Sequence, residues 1–114
     1  MSVITPFPAR GTRRPVTSFD RKELMRILDL YGRMVAAGHW RDYAMSLNPD
    51  AAVFAAFRRT AERPEVRIEK RPELRLKQGA FALVGEQGQV LKRGQELAAV
   101  LAPIERRLMR LVSE

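Results

Sequence analysis

The sequence contains no cysteine and a single histidine, His39. The absence of cysteine excludes disulfide bonds, thiolate metal ligands and a cysteine nucleophile. Zinc sites normally use three or four protein ligands, so one histidine without cysteine makes a poor metal site. We therefore expect no metal and no cofactor, and we interpret His39 as a residue at the end of a helix.

Long apolar segments are also absent. No stretch approaches the roughly 18 apolar residues of a membrane span, and the first residues contain no apolar core of a secretory signal. The helices expected below lack the basic polar face of a helix that lies on a membrane. These features predict a cytoplasmic protein without a membrane partner.

Motifs of common catalytic sites are missing as well. The chain has no phosphate-binding GxxxxGKS/T loop, no GxSxG nucleophile turn and no HExxH helix. The carboxylates of residues 62–73 are interleaved with basic side chains, which is typical of an ion-paired surface. General acid–base catalysis instead needs a group with a tuned pKa in a pocket. We expect that the protein is not an enzyme.

Positive charge, by contrast, is in clear excess, with a formal net charge of +8 over 114 residues. The excess lies in residues 1–17 and 51–94, whereas residues 18–50 and 95–114 are each balanced. A local concentration of basic side chains favours an anionic partner such as nucleic acid. The alternative is a basic protein whose charge has no specific partner.

The chain length suits one domain preceded by a tail. Residues 1–17 contain Pro6, Pro8, Gly11 and Pro15 with little apolar periodicity, so we expect a disordered basic tail. Residues 18–114 are expected to form one domain. Internal repeats and low-complexity tracts are absent.

Two helices are predicted from apolar residues that recur with a 3.6-residue period. The first is capped by Ser18 or Asp20, with Glu23 three residues after Asp20 in a capping-box arrangement, and it ends near Ala37, before Gly38. Gly32 inside this helix is expected to permit close packing against a sheet. The second helix follows Gly94, with a kink or a break at Pro103.

Alternating or continuous apolar runs between the helices, bounded by turn residues, predict strands. They lie at residues 43–47, 52–58, 66–70, 80–84 and 90–93. A short helix is the alternative for residues 52–58. The fold class is therefore α+β, a single domain in the order α-β-β-β-β-β-α. We expect a mostly antiparallel five-stranded sheet with both helices packed on one face.

Basic residues near the strands are the candidate nucleic-acid-binding site. Pairing of residues 52–58 with 66–70 would bring Arg58 and Arg59 near Arg67, along which a phosphate backbone could run. The predicted binding residues are Arg58, Arg59, Arg67, Lys70, Arg71, Arg75, Lys77, Lys92 and Arg93.

Three phenylalanines near these residues have two interpretations. Phe54, Phe57 and Phe81 offer stacking faces for bases if one sheet surface is open. They are core residues if it is not, and this is the more common arrangement. Trp40 is expected to pack at a corner of the core.

A protein-interaction role is the alternative function. Strands that are apolar on both faces need cover on both sides. If two helices cover one face, the other is available to a protein partner or to a second copy in a homodimer. An apolar open face without basic residues at its rim would favour this alternative, and a continuous basic groove would favour nucleic acid.

Several short runs are similar to a small alphaproteobacterial family of unknown function. They are LYGRMVAAG at 30–38, WRDYA at 40–44, VF at 53–54, FRR at 57–59, IEKRP at 68–72, KQGA at 77–80 and LKRG at 91–94. The likeness covers roughly residues 19–112 and omits the tail. It implies a bacterial cytoplasmic protein and carries over no functional residues.

Overall fold

The computed structural model describes residues 15–59 and 63–113. Helices and strands follow one another along the chain as α1 Arg21–Ala36, β1 Asp42–Leu47, β2 Ala52–Phe57, β3 Val66–Lys70, a 3-10 turn Pro72–Leu74, β4 Phe81–Gly85, β5 Val90–Gly94 and α2 Leu97–Val112. The strands form one sheet in the order β1-β2-β3-β4-β5, with every neighbouring pair antiparallel. The predicted α+β fold and element order are confirmed. Of the tail predicted at residues 1–17, residues 1–14 lie outside the described residues.

The capping box predicted for α1 is present. The backbone N–H of Glu23 donates to Asp20 Oδ1, and that of Asp20 donates to Glu23 Oε1, both at 2.8 Å. At the other end Gly38 has φ +79°, a left-handed conformation that glycine adopts without strain. The N–H of His39 donates to Met34 O, which closes the last turn. Local sequence signals thus determine both ends of this helix.

Both helices pack on one face of the sheet. The core consists of side chains from one side of β2, β3 and β4 together with the inner faces of α1 and α2, including Ile27, Phe54, Ile68, Leu83 and Leu101, all nearly inaccessible to solvent. Burial of this apolar surface is the main stabilising contribution. Residues 52–58 form a strand rather than the alternative short helix, because Ala52 to Phe57 pair on both sides.

One local expectation was wrong. Gly32 does not pack against the sheet: it is exposed, and an added Cβ would meet nothing within 4 Å. Its position places it on the outer side of α1, away from the buried Ile27, Leu30 and Met34. Of the two alternatives expected at Pro103, the break is absent, since α2 continues through this residue from Leu97 to Val112.

Candidate nucleic-acid interface

One sheet face, which we call the uncovered face, has neither α1 nor α2 on it. Because side chains alternate along a strand, it carries the residues between those of the core. They are Asp42, Ala44, Ser46, Val53, Ala55, Phe57, Arg67, Glu69, Ala82, Val84, Val90 and Arg93, with Arg71 just after β3. Ala82 and Val84 are nearly fully buried there. The strand register places Ala82 between Glu69 and Arg93, and Val84 beside Arg67, whose long stems can cover small neighbours.

A row of charged residues on β3 makes this face basic. Glu69 lies between two arginines: its Oε2 is 3.5 Å from Arg67 Nε, and its Oε1 is 3.4 Å from Arg71 Nε. Arg93 lies across the sheet, and its Nη1 donates to Gly79 O at 3.3 Å. One carboxylate therefore balances only part of the arginine charge, which leaves this region positive.

A second group of arginines, the end cluster, lies where β1 begins and β2 ends. It consists of Arg41, Arg58, Arg59 and Arg63. The first three line a surface depression of about 580 Å³ together with His39 and Trp40. Arg58 and Arg59 also line an adjoining depression of about 170 Å³ with Arg63, Glu65 and Glu86. The cluster thus lines two neighbouring concave surfaces, which share Arg58 and Arg59, at one end of the sheet.

The half-buried carboxylate beside this cluster is already bound to other groups. Trp40 Nε1 donates to Glu65 Oε1 at 2.7 Å, and Arg107 from α2 donates to Glu65 Oε2 at 2.7 Å. Within residues 15–59 and 63–113, no carboxylate forms an ion pair with Arg41, Arg58 or Arg63. The guanidinium groups of these residues can therefore bind an external anion without first breaking an ion pair.

His39 lines the larger depression and has a lowered pKa. Burial is the largest cause; the positive charge of Arg107 and of Arg58 lowers the pKa further, and the carboxylate of Glu65 opposes them. A pKa below the ordinary value of about 6.5 means that the folded state binds a proton at His39 less readily than the unfolded chain does. Stability is therefore full above that ordinary value and falls as the pH drops through the folded pKa.

We accordingly expect the wild-type protein to lose more stability than His39→Gln when the pH is lowered from 7.5 to 5.5. Urea unfolding at several pH values measures this, and the difference between the two proteins isolates His39 from groups that titrate in both. Parallel pH profiles for the two proteins would contradict the prediction.

The structure does not bring all the predicted binding residues together. Lys70 points to the helix face, where its Nζ lies 2.7 Å from Glu23 Oε1 and donates to Ser18 O at 3.0 Å. Lys92 is exposed on β5, opposite the core residue Leu83 in the register. Arg75 and Lys77 are exposed in the β3–β4 connection, at the end of the sheet opposite Arg58 and Arg59. Only Arg67, Arg71 and Arg93 share the uncovered face.

The phenylalanines divide between the two interpretations. Phe54 and Phe81 are core residues, and Phe54 stacks on Tyr43 with ring centroids 5.0 Å apart. Phe57 is half-buried on the uncovered face, directly before Arg58. It is therefore the phenylalanine of the three that a base could reach. Trp40 is buried near Tyr31, as expected for a corner of the core.

Arg41 and Arg63 were not among the predicted binding residues. Arg41 directly precedes β1 and Arg58 directly follows β2, and antiparallel neighbours bring those two chain positions to the same end of a sheet. The backbone N–H of Arg41 indeed donates to Phe57 O at 2.8 Å. This signal was available from the strand assignment alone. Arg63 lies in the connection to β3, whose path the residue pattern does not define.

Two other classes of site are absent from the described part of the chain. Residues 15–59 and 63–113 contain no group of three or more His, Cys, Asp or Glu side chains arranged to hold a metal ion. Among those residues, no helix has the length and apolar character needed to cross a membrane.

Fold and site together define a small α+β protein with an antiparallel sheet, helices on one face and arginines at one end. A family model described as "Protein of unknown function (DUF2794)" matches residues 17–101, and the chain belongs to this family. The expected resemblance to an uncharacterised family is thereby confirmed, while its bacterial source stays a prediction. No curated protein and no solved structure matches the chain.

Proposed function

We propose that the protein is a non-catalytic nucleic-acid-binding protein that holds the phosphate backbone with its end cluster. The observation that carries this proposal is the set of arginines around two adjoining depressions, beside a carboxylate whose oxygens are bound to Trp40 and Arg107. Planar guanidinium groups bind phosphate oxygens in a bidentate manner. Arg67 on the uncovered face and the half-buried Phe57 extend the surface along the sheet.

Fluorescence anisotropy with labelled single- and double-stranded DNA and RNA tests the proposal over a salt series. We expect Arg41→Ala combined with Arg58→Ala to weaken binding by on the order of 10–100-fold. The salt slope should become shallower by about 1 for each phosphate that the variant no longer neutralises. Neither side chain has an ion-pair partner among the described residues, so folding should be little affected.

Arg75→Ala combined with Lys77→Ala is the matched control, because it removes the same charge from exposed positions at the opposite end of the sheet. It is expected to change affinity only slightly. Absence of binding at low salt, or equal losses of affinity in the two double variants, would refute a site at the end cluster.

His39 provides a second measurement that is independent of affinity. A phosphate bound beside Arg58 would offset the positive charges that lower the His39 pKa, so binding should raise that pKa. The chain has one histidine, and its NMR titration with and without an oligonucleotide can be followed without assignment. An unchanged titration at saturating oligonucleotide would place the ligand elsewhere.

A further inference from the structure

The outer edge of β1 has backbone groups that do not pair with β2. Asn48 N–H donates to Ala51 O at 2.9 Å, and the β1–β2 register continues this pairing through the even-numbered residues of β1. The N–H and C=O groups of Tyr43, Met45 and Leu47 therefore point away from β2. In agreement, Tyr43 N–H is bound by the carboxylate of its neighbour Asp42 at 2.8 Å and not by β2.

An apolar strip lies beside this edge. The side chains of Tyr43, Met45 and Leu47 are on the helix face and are 44%, 39% and 43% exposed. Tyr31 of α1 packs on Tyr43 with ring centroids 5.1 Å apart, so this side of α1 faces β1.

The same side of α1 continues the strip. Leu28 and Val35 lie next to Tyr31 at helical spacing and are 37% and 40% exposed. Gly32, beside them on the outer side of α1, has open space where a side chain would be, which leaves room for a partner. Strand and helix together present one apolar surface that none of the other described elements covers.

The two edges of the sheet differ in protection. Edge strands commonly carry lysine, arginine or a bulge that prevents pairing with another chain. At the other edge, β5 contains Lys92 and Arg93 and pairs with β4 through an irregular register at Leu83 and Val84. In contrast, β1 has six residues in regular register, without lysine, arginine or proline. The unprotected edge is thus the one with the apolar strip.

We propose that β1 pairs antiparallel with β1 of a second copy about a two-fold axis at Met45, so that one sheet runs through both copies and their apolar strips meet. In this arrangement Met45 faces its own counterpart and Tyr43 faces Leu47, all on the helix face. The outward-pointing backbone groups of these residues are then paired across the junction, where Tyr43 N–H exchanges the Asp42 carboxylate for a carbonyl of the second copy. Such a symmetric contact uses the same patch on both copies.

The charges favour a second copy in this orientation. Asp42 is the one charged residue of β1, and antiparallel pairing places its two copies at opposite ends of the junction. The α1 helices also run antiparallel beside the axis. Arg21 is exposed at the amino end of α1, the end that this arrangement turns toward the carboxyl end of the partner's α1. A cation is favoured there by the helix dipole.

Sedimentation velocity of the full chain between about 1 and 100 µM tests the proposal, a range in which specific dimers commonly form. We expect a dimer for the wild-type protein. Met45→Lys places two like charges against each other at the axis and should raise the dissociation constant by on the order of 100-fold. Val90→Lys is the matched control, because it adds a lysine at an exposed apolar position of the other edge strand, and its dimer should be unchanged.

A cross-link keeps the test independent of the stability of these variants. The chain contains no cysteine, so Met45→Cys introduces a single thiol that faces its counterpart in the proposed dimer, where Cα atoms about 5.5 Å apart permit a disulfide. Mild oxidation should give a covalent dimer from Met45→Cys and little from Val90→Cys. A monomeric wild type, a dimer that persists in Met45→Lys, or equal cross-linking at both positions would each overturn the proposal.

Discussion

Gly79→Ala is expected to destabilise the fold severely. Gly79 has φ +107°, a backbone conformation that residues with a side chain rarely adopt. An added Cβ would lie 2.5 Å from Gly94 C and 2.6 Å from Gly94 O. The clashing atoms are backbone, so no side chain can rotate away. Such a combination of unfavourable dihedral angle and backbone overlap should cost roughly 3 kcal/mol or more.

This position joins two parts of the sheet. Gly79 lies in the connection before β4, and Gly94 is the last residue of β5, just before α2. Arg93 also donates from Nη1 to Gly79 O. To relieve this overlap, the β3–β4 connection would have to move away from β5. That movement would disturb β5, the edge strand that leads into α2.

Gly88→Ala separates the two contributions experimentally. Gly88 also has a positive φ, +86°, but an added Cβ would meet nothing within 4 Å. Its substitution should therefore cost only about 1 kcal/mol from the dihedral angle. In a domain of this size each kcal/mol lowers the melting temperature by about 4–8 °C, so thermal unfolding by circular dichroism resolves the two variants. Similar melting temperatures for them would show that the close approach to Gly94 is unimportant.

The parts of the fold that the sequence predicted are those determined by neighbouring residues. The capping box of Asp20 and Glu23 and the positive φ of Gly38 are local properties. The alternation in residues 66–70 also follows from one buried side and one outer side. Such signals are contained within a few residues, so they can be recognised without knowledge of the tertiary structure.

The site was less predictable because charge placement depends on distant partners. Lys70 was predicted as a phosphate-binding residue from its place at a strand end. Its ammonium instead pairs with Glu23, 47 residues earlier, and lies 6.0 Å from the ring centroid of Phe81. Likewise the sequence cannot tell that Glu65 binds Arg107 across 42 residues, which removes a competing carboxylate from the end cluster.

The residues of the uncovered face were also difficult to predict, because their assignment depends on the tertiary structure. Residues 80–84 are apolar throughout, so their pattern does not say which side chains face the helices. In the structure Phe81 and Leu83 face the core, while Ala82 and Val84 lie on the uncovered face. The prediction that one face lacks helices was correct in outline. The composition of this face, with small apolar residues beside a row of arginines, can be recognised only when the strand register is known.

Trp40→Ala is expected to have the other largest effect, because the side chain fills the corner where α1, β1 and β2 meet. Trp40 is 2% exposed, and its ring centroid lies 6.0 Å from that of Tyr31. Loss of a buried tryptophan leaves a large cavity and should lower the free energy of unfolding by about 3–5 kcal/mol. Urea unfolding followed by circular dichroism measures the change.

Trp40→Phe distinguishes the packing contribution from the hydrogen bond. Phenylalanine keeps much of the apolar volume but cannot donate to Glu65 Oε1, as Trp40 Nε1 does at 2.7 Å. We expect a smaller loss of stability, about 1–3 kcal/mol, since a half-buried carboxylate oxygen loses its donor. Because that oxygen would then be available to the neighbouring end-cluster arginines, oligonucleotide affinity should also fall. A Trp40→Phe protein with wild-type stability and wild-type affinity would show that Glu65 is not held away from the arginines by this hydrogen bond.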